Sequence, residues 1–243
     1  NGATPCPGFA PHAFVELHIE QGPVLEQTDV KIGAVTGVQG ISWQEVIITG
    51  QSNHAGTTPM SMRKDPSFVA AKIAVFLRDL ADRYGGHQVC TVGKVDLFPN
   101  LINVIPARAV MTLDVRNTDD RTLITAEIEI SEFITSLAKT EGVEISSRHL
   151  ARFEPVVFHP QVIDLVEKVS AYHSPSVTRM PSGAGHDAQM FARVCPSAMI
   201  FVPSVEGISH NPAEFTDPDD LVMGANILLQ VLIELSQIEE FDS

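Results

Sequence analysis

Between Ile41 and Leu150 the apolar residues switch between the two-residue repeat of strands and the 3.6-residue repeat of helices, in the order β-α-β-β-α-β. Ile41 to Thr49 reads as a strand. Asp65-Pro66 supplies an N-cap and a first-turn proline for a helix carrying Val69, Ile73, Phe76, Leu77 and Leu80 on one side and stopped by Gly85-Gly86. Val89 to Val95 and Ala109 to Val115 are two further strands, with Pro99-Asn100 and Pro106 marking the loop between them. Thr118-Asp119-Asp120 caps a second helix with Leu123, Ile130, Ile134 and Leu137 on one side, which ends at Gly142 before Val143 to Leu150 returns as a strand. This order predicts a ferredoxin-like unit, a four-stranded antiparallel sheet with both helices on one face.

The flanks follow a different rule. Phe14 to Ile19, Val177 to Met180 and Ala198 to Val202 are short apolar strands, and helices are predicted near Pro160 to Tyr172, His186 to Val194 and Pro218 to Leu235. Alternation of this kind predicts a parallel α/β sheet covered on both faces. The expected architecture is therefore α/β, with residues 1–36 and 151–243 forming one discontinuous parallel-sheet domain and residues 37–150 inserted into it. Three strands make a thin sheet, and the chain opens at Asn1 without an initiator Met, so the expectation is a domain whose N-terminal portion is absent.

Composition narrows the function classes. The 243 residues carry 30 acidic against 16 basic side chains, a formal charge of -14 whose field repels a phosphate backbone, so nucleic acid is not an expected partner. No run approaches the roughly 18 apolar residues of a membrane span, and no signal-peptide pattern opens the chain. Cys6, Cys90 and Cys195 form no Cys-x-x-Cys pair and read as reduced thiols of a cytoplasmic protein.

Several polar residues stand where strands open into loops. His18 shares a strand face with Phe14 and Glu16 and precedes the Gly22-Pro23 break. His210 lies in Gly207-Ile208-Ser209-His210-Asn211-Pro212, between the last strand and the last helix. Two such histidines could ligate a metal, but catalytic zinc usually takes three protein ligands, and two unconnected histidines explain the spacing equally well. His54 sits among small residues in Asn53-His54-Ala55-Gly56-Thr57-Thr58-Pro59, where it could serve a developing oxyanion or simply a polar turn. Arg116, ending a strand, offers a fork for a carboxylate with Asn103 as a companion amide, or else a salt bridge to Asp114 or Asp119. Ser182-Gly183-Ala184-Gly185-His186-Asp187 lacks the third glycine of a dinucleotide loop and the Gly-x-Ser-x-Gly of a nucleophile elbow, so a backbone facing a substrate is the better functional reading.

Taken together, His18-Ile19-Glu20-Gln21-Gly22-Pro23, Asn53-His54-Ala55-Gly56-Thr57-Thr58-Pro59-Met60, Asn103-Val104-Ile105-Pro106, Asp114-Val115-Arg116, Gly183-Ala184-Gly185-His186-Asp187-Ala188 and Gly207-Ile208-Ser209-His210-Asn211-Pro212 resemble the N-carbamoyl-L-amino-acid hydrolase and allantoate amidohydrolase branch of the M20 metallopeptidases. The resemblance runs from Phe14 to the C-terminus. It implies a catalytic domain with two divalent metals per subunit, zinc, manganese or cobalt, and a ferredoxin-like lid that mediates homodimerisation. His18 and His210 would be metal ligands. Gln21, Asn103, Arg116 and Gly185 would bind substrate, Asn103 and Arg116 holding its carboxylate, and His54 would polarise the scissile carbonyl in the neighbouring subunit's site. The family's remaining ligands and its general-base glutamate belong to a segment that does not precede Asn1, so this chain alone is expected to be inactive. An M20 aminoacylase or dipeptidase, or a non-catalytic dimerisation or binding module, are the competing readings.

Overall fold

The structure is a computed structural model that describes residues 11–174 and 176–241. In chain order the elements are β1 (Phe14–Ile19), α1 (Val24–Gln27), β2 (Ile32–Val38), β3 (Gly40–Thr49), β4 (Asn53–His54), α2 (Pro66–Tyr84), β5 (Val89–Phe98), β6 (Val104–Ile105), β7 (Arg108–Asn117), α3 (Asp120–Glu141), β8 (Glu144–Phe153), β9 (Val156–Val157), α4 (Pro160–His173), β10 (Val177–Ser182), α5 (Asp187–Phe191), β11 (Ser197–Val202) and α6 (Pro218–Leu235). They fall into two compact units, Gly40–Pro155 and a discontinuous unit made of Asn1–Gln39 with Val156–Ser243. Because β2 runs to Val38 and β8 to Phe153, this division lies a few residues beyond the boundaries read from the sequence.

The central unit is built on local signals. Its sheet has the strand order β5-β7-β3-β8, antiparallel at each junction. The Asp65 carboxylate accepts the Ser67 and Phe68 N–H groups at the start of α2, and Asp119 accepts the Thr122 N–H at the start of α3. These satisfy donors that the first turn of a helix leaves unpaired. The helices stop at Gly85 and Gly142, both with positive φ. Val69, Ile73, Leu77 and Leu80 of α2 and Leu123, Ile130, Ile134 and Leu137 of α3 pack with Val46, Ile48, Met111 and Leu113 of the sheet in one buried cluster. Phe76 and Phe133 stack across the two helices with ring centroids 4.0 Å apart.

The discontinuous unit corrects one expectation. Its sheet is mixed rather than parallel: β1 pairs with β11 and β10 with β2 in parallel, but β11 and β2 run antiparallel in the order β1-β11-β2-β10. The unexpected strand is β2, Ile-Gly-Ala-Val-Thr-Gly-Val, whose two glycines and alanine weaken the apolar pattern by which strands are recognised. It is nonetheless buried on both faces, with Ile32, Ala34 and Val35 inaccessible to solvent. A Cβ on Gly37 would collide with the Val156 carbonyl oxygen, where β9 joins β2. Helices α4 and α6 pack against each other and on this sheet, and Gly224 of α6 lies so close to Leu17 and Val202 that a Cβ there would be 2.7 Å from the Leu17 Cδ1.

No helix among the described residues is long and apolar enough to cross a membrane. Cys90 and Cys195 are free thiols, and burial pushes the Cys90 thiol up to about 11, so it stays protonated near neutrality. Cys6 lies outside the described residues.

Removing the α3 cap tests the account of the central unit. Asp119→Ala should lower its unfolding midpoint in urea, followed by fluorescence of Trp43, the single tryptophan, which lies in β3. No shift of the midpoint would show that the cap contributes nothing.

Candidate active site

The parallel pairing of β1 with β11 sets Glu16 opposite Met199 and His18 opposite Phe201. Glu16 and His18 share a strand face, since side chains alternate. The turn from Ser182 to His186 and the short helix α5 lie over that face. Phe14 stacks on Phe191 with centroids 4.0 Å apart, and the His186 ring meets His18 edge-on at 4.7 Å. One Glu16 oxygen accepts the Ala188 N–H at 2.8 Å, and the other lies 3.5 Å from His186 Nδ1. The Ser182 hydroxyl lies 2.8 Å from His186 Nε2.

These surroundings decide protonation. His18 Nδ1 lies 2.8 Å from the Ile19 carbonyl oxygen, which can only accept, so Nδ1 carries the proton and Nε2 the lone pair. Burial, reinforced by the neighbouring His18, lowers the His186 pKa to about 4. Ligand-type atoms of Glu16, His18 and His186 all lie within 4.8 Å of one another. Of these groups His18 keeps an Nε2 lone pair that suits a divalent cation such as zinc, whereas the two nitrogens of His186 face Glu16 and Ser182.

Since Ile19 and Val202 are register partners, the chain leaves β1 and β11 at the same edge. The two loops are tied together. The Gln21 N–H donates to Ser204 Oγ at 3.0 Å, the Glu206 N–H donates to a Glu26 carboxylate oxygen at 2.7 Å, and Gly207 packs against Pro23. Both Glu20 oxygens accept N–H groups, from Val24 and Leu25, each at 2.8 Å. Gln21, Glu206 and His210 adopt positive φ, a conformation that side-chain-bearing residues seldom take and that clusters at working sites. His210 lies outside the Glu16, His18 and His186 group, and its N–H donates to Glu214 at 3.0 Å. The Glu214 carboxyl is held below its ordinary range by the nearby Ser209 hydroxyl and by the hydrogen bond from the His210 N–H, helped by the His210 and His18 imidazoles.

A second group lies within the central unit. β4 and β6 form a two-stranded ribbon in which His54 pairs with Val104, and the Ala55 N–H donates to the Asn103 carbonyl at 2.9 Å. His54 Nδ1 accepts the Gly56 N–H at 3.0 Å. A backbone N–H can only donate, so the neutral His54 ring carries its proton on Nε2. Arg63 holds the loop from within, donating to the carbonyl oxygens of Ala55 at 2.6 Å and Thr58 at 3.1 Å. Arg116 is gripped by Asp114 through Nε at 2.8 Å and Nη2 at 2.6 Å. It pairs with Ile41 at one end of β7, whereas the ribbon joins the sheet near Arg108 at the other, roughly 27 Å along the strand at about 3.4 Å per residue.

The family model described as peptidase family M20/M25/M40 matches residues 3–234. The chain belongs to that family. This M20 chain is 38% identical over 227 residues to an N-carbamoyl-L-amino acid amidohydrolase of Geobacillus stearothermophilus, covering 93% of the chain and 55% of the relative. It is 38% identical over 224 residues to an allantoate amidohydrolase of Escherichia coli strain K12, covering 92% of the chain and 54% of the relative. The crystal structure of a hydantoinase/carbamoylase family amidase from Burkholderia multivorans superposes with a TM-score of 0.91 at 37% identity, over 96% of the chain and 57% of that protein. The chain thus spans about half the length of the relatives it matches.

The sequence reading passed over three residues of the M20 chain. Glu16 was visible as the residue sharing the His18 face, and His186 stood inside the Gly-Ala-Gly-His-Asp motif, but nothing in the sequence brings β1 and that motif together. Arg63 carries no local signal. The depressed His186 pKa gives a pH prediction. Unfolding releases the ring to its ordinary value near 6.5, so the unfolded chain takes up the proton first, and metal-free stability should fall as pH drops from about 6.5 towards 4. Histidine NMR titration should find the His186 imidazole still neutral near pH 5; if His186 titrates near 6.5, the described burial of His186 is wrong.

Proposed function

We propose that this chain belongs to a metal-dependent amidohydrolase that cleaves the ureido C–N bond of an N-carbamoyl-L-amino acid or of allantoate. The products would be ammonia and carbon dioxide with the amino acid, or with a ureidoglycine-type compound. What carries the reading is that two imidazoles are protonated in opposite senses. His18 offers an Nε2 lone pair beside Glu16 and His186, and His54 offers an Nε2–H.

A divalent metal, zinc, manganese or cobalt and two per subunit in the complete enzyme, would be held by His18 and His210 among its ligands, and would supply Lewis-acid polarisation of the ureido carbonyl. His54 donates from Nε2 to the carbonyl oxygen as it gains negative charge. Arg116 and Asn103 bind the substrate carboxylate, and Gln21 and Gly185 contact the remainder of the substrate. A Cβ on Gly185 would meet nothing of the chain closer than Gln189 at 3.8 Å, so its glycine suits a ligand approaching the backbone rather than packing.

His54 and Asn103 ride on one ribbon, and Arg116 stands at the far end of the same sheet, which favours a composite site. The ribbon of one copy would serve the site of a second, with the ferredoxin-like unit as lid and dimerisation element. Met60, Met62, Leu101 and Ile102 adjoin the ribbon residues along the chain and are exposed, Ile102 fully, which favours a surface covered in the assembly. The partners are a small ureido molecule and a second copy, and the free Cys90 and Cys195 thiols suit a cytoplasmic location.

In the full-length enzyme His54→Ala should lower kcat by roughly 100- to 1000-fold with metal content unchanged. Turnover near the parent's would remove His54 from the chemistry. Ureido substrates should be hydrolysed in preference to N-acyl amino acids of the same side chain, compared by kcat/KM. The opposite preference would make the protein an M20 aminoacylase.

A further inference from the structure

His186 is the one imidazole of the group whose proton the backbone does not assign. Its Nε2 faces the Ser182 hydroxyl at 2.8 Å, and a hydroxyl can either donate or accept. That hydroxyl accepts the Ala184 N–H at 3.1 Å, and its single proton has two acceptors within reach, His186 Nε2 and the Ala184 carbonyl oxygen at 3.0 Å. The choice therefore falls to the other side of the ring, where Nδ1 stands 3.5 Å from Glu16 Oε1. This is long for a hydrogen bond. It is still close enough that a lone pair on Nδ1 would face a negative oxygen, whereas a proton there would be attracted. The His186 side chain is only 2% exposed, so little water screens the pair. The second Glu16 oxygen is anchored by the Ala188 N–H at 2.8 Å, which fixes the carboxylate between β1 and the start of α5.

We propose that Glu16 is a positioning residue. It places the His186 proton on Nδ1, turns the Ser182 hydroxyl towards Nε2, and clamps the turn from Gly183 to Asp187 onto the strand that carries His18. Glu16, His186 and Ser182 have the connectivity of a hydrolytic triad, but Ser182 is 1% exposed and its oxygen is held by the Ala184 N–H. The relay orients His186 and does not attack a substrate. Its effect on metal affinity rests on the proposed role of His18, and its effect on the tautomer does not.

The test is Glu16→Gln in this chain, free of metal at pH 7. The Ala188 N–H demands the amide oxygen, so the amide NH2 faces His186 Nδ1, which must then accept. Long-range nitrogen–proton correlation spectra should show His186 protonated at Nδ1 in the parent and at Nε2 in Glu16→Gln. A parent protonated at Nε2, or the same tautomer in both, overturns the proposal. Ser182→Ala separates the two neighbours of the ring and decides the matter if Glu16→Gln does not fold. Protonation at Nδ1 should persist there, and a move of the proton would show that Ser182 makes the choice. Zinc titration of the parent and Glu16→Gln should give roughly 10- to 100-fold weaker binding in the variant. A tautomer switch with no zinc bound by the parent would count against His18 as a ligand while leaving the positioning role of Glu16 in place.

Discussion

The pairing of β1 with β11 is the contact on which the candidate site depends. It joins segments far apart in sequence, and its register is continued at both ends by the Phe14 N–H to the Pro196 carbonyl and the Glu20 N–H to the Val202 carbonyl, each at 2.9 Å. Each such hydrogen bond contributes only about 1 kcal/mol net. Burial of Ile200, Phe201 and Val202 contributes about 1.5 to 3 kcal/mol for each side chain, and all three are at most 1% exposed. The apolar side chains therefore hold the strands together, and the hydrogen bonds decide their alignment. A slip of one residue would carry His18 and Glu16 to the face that Gly224 of α6 occupies. Register and chemistry are thus one constraint.

Where β1 and β11 end, the backbone is made to adopt conformations it would otherwise avoid. Positive φ at Gln21, Glu206 and His210 costs on the order of 1 kcal/mol or more at each residue. The offset comes from charge-assisted bonds to the surrounding backbone: Glu20 to two N–H groups, Glu26 to Glu206, and Glu214 to His210. Acidic residues do this work because backbone N–H groups turned out of regular structure need strong acceptors. Part of the excess negative charge of the chain is therefore structural.

The central unit was legible because its signals are local. Asp65, Asp119, Gly85 and Gly142 mark helix ends within a few residues of where they act, and the apolar spacing of α2 and α3 reports which side is buried. The discontinuous unit was less so. β2 hides its role behind Gly33 and Gly37, which are small because other chain segments press against them, a fact of tertiary packing. The same reason explains the site. His18, His54 and Arg116 could be singled out as polar residues at strand ends, but the distance between Arg116 and the Asn103 ribbon, and the meeting of Glu16 with His186, follow from strand order and register. Motifs identify residue types; only the sheet says which of them share a site.

The histidines show how a fold assigns opposite chemistry to one side chain. A carbonyl oxygen beside Nδ1 of His18 draws the proton to that nitrogen and leaves Nε2 a Lewis base, fit to ligate. An N–H beside Nδ1 of His54 does the reverse and leaves Nε2 an acid, fit to donate to an oxyanion. Each outcome requires one backbone group of fixed polarity about 3 Å from the ring, which the Ile19 carbonyl supplies at the end of β1 and the Gly56 N–H supplies in the loop after β4. The backbone is thus an active determinant of side-chain chemistry here. Glycine at position 56 fits that duty, because the turn that points its N–H back at the imidazole brings its own Cα close, and a Cβ there would lie 3.3 Å from the His54 ring.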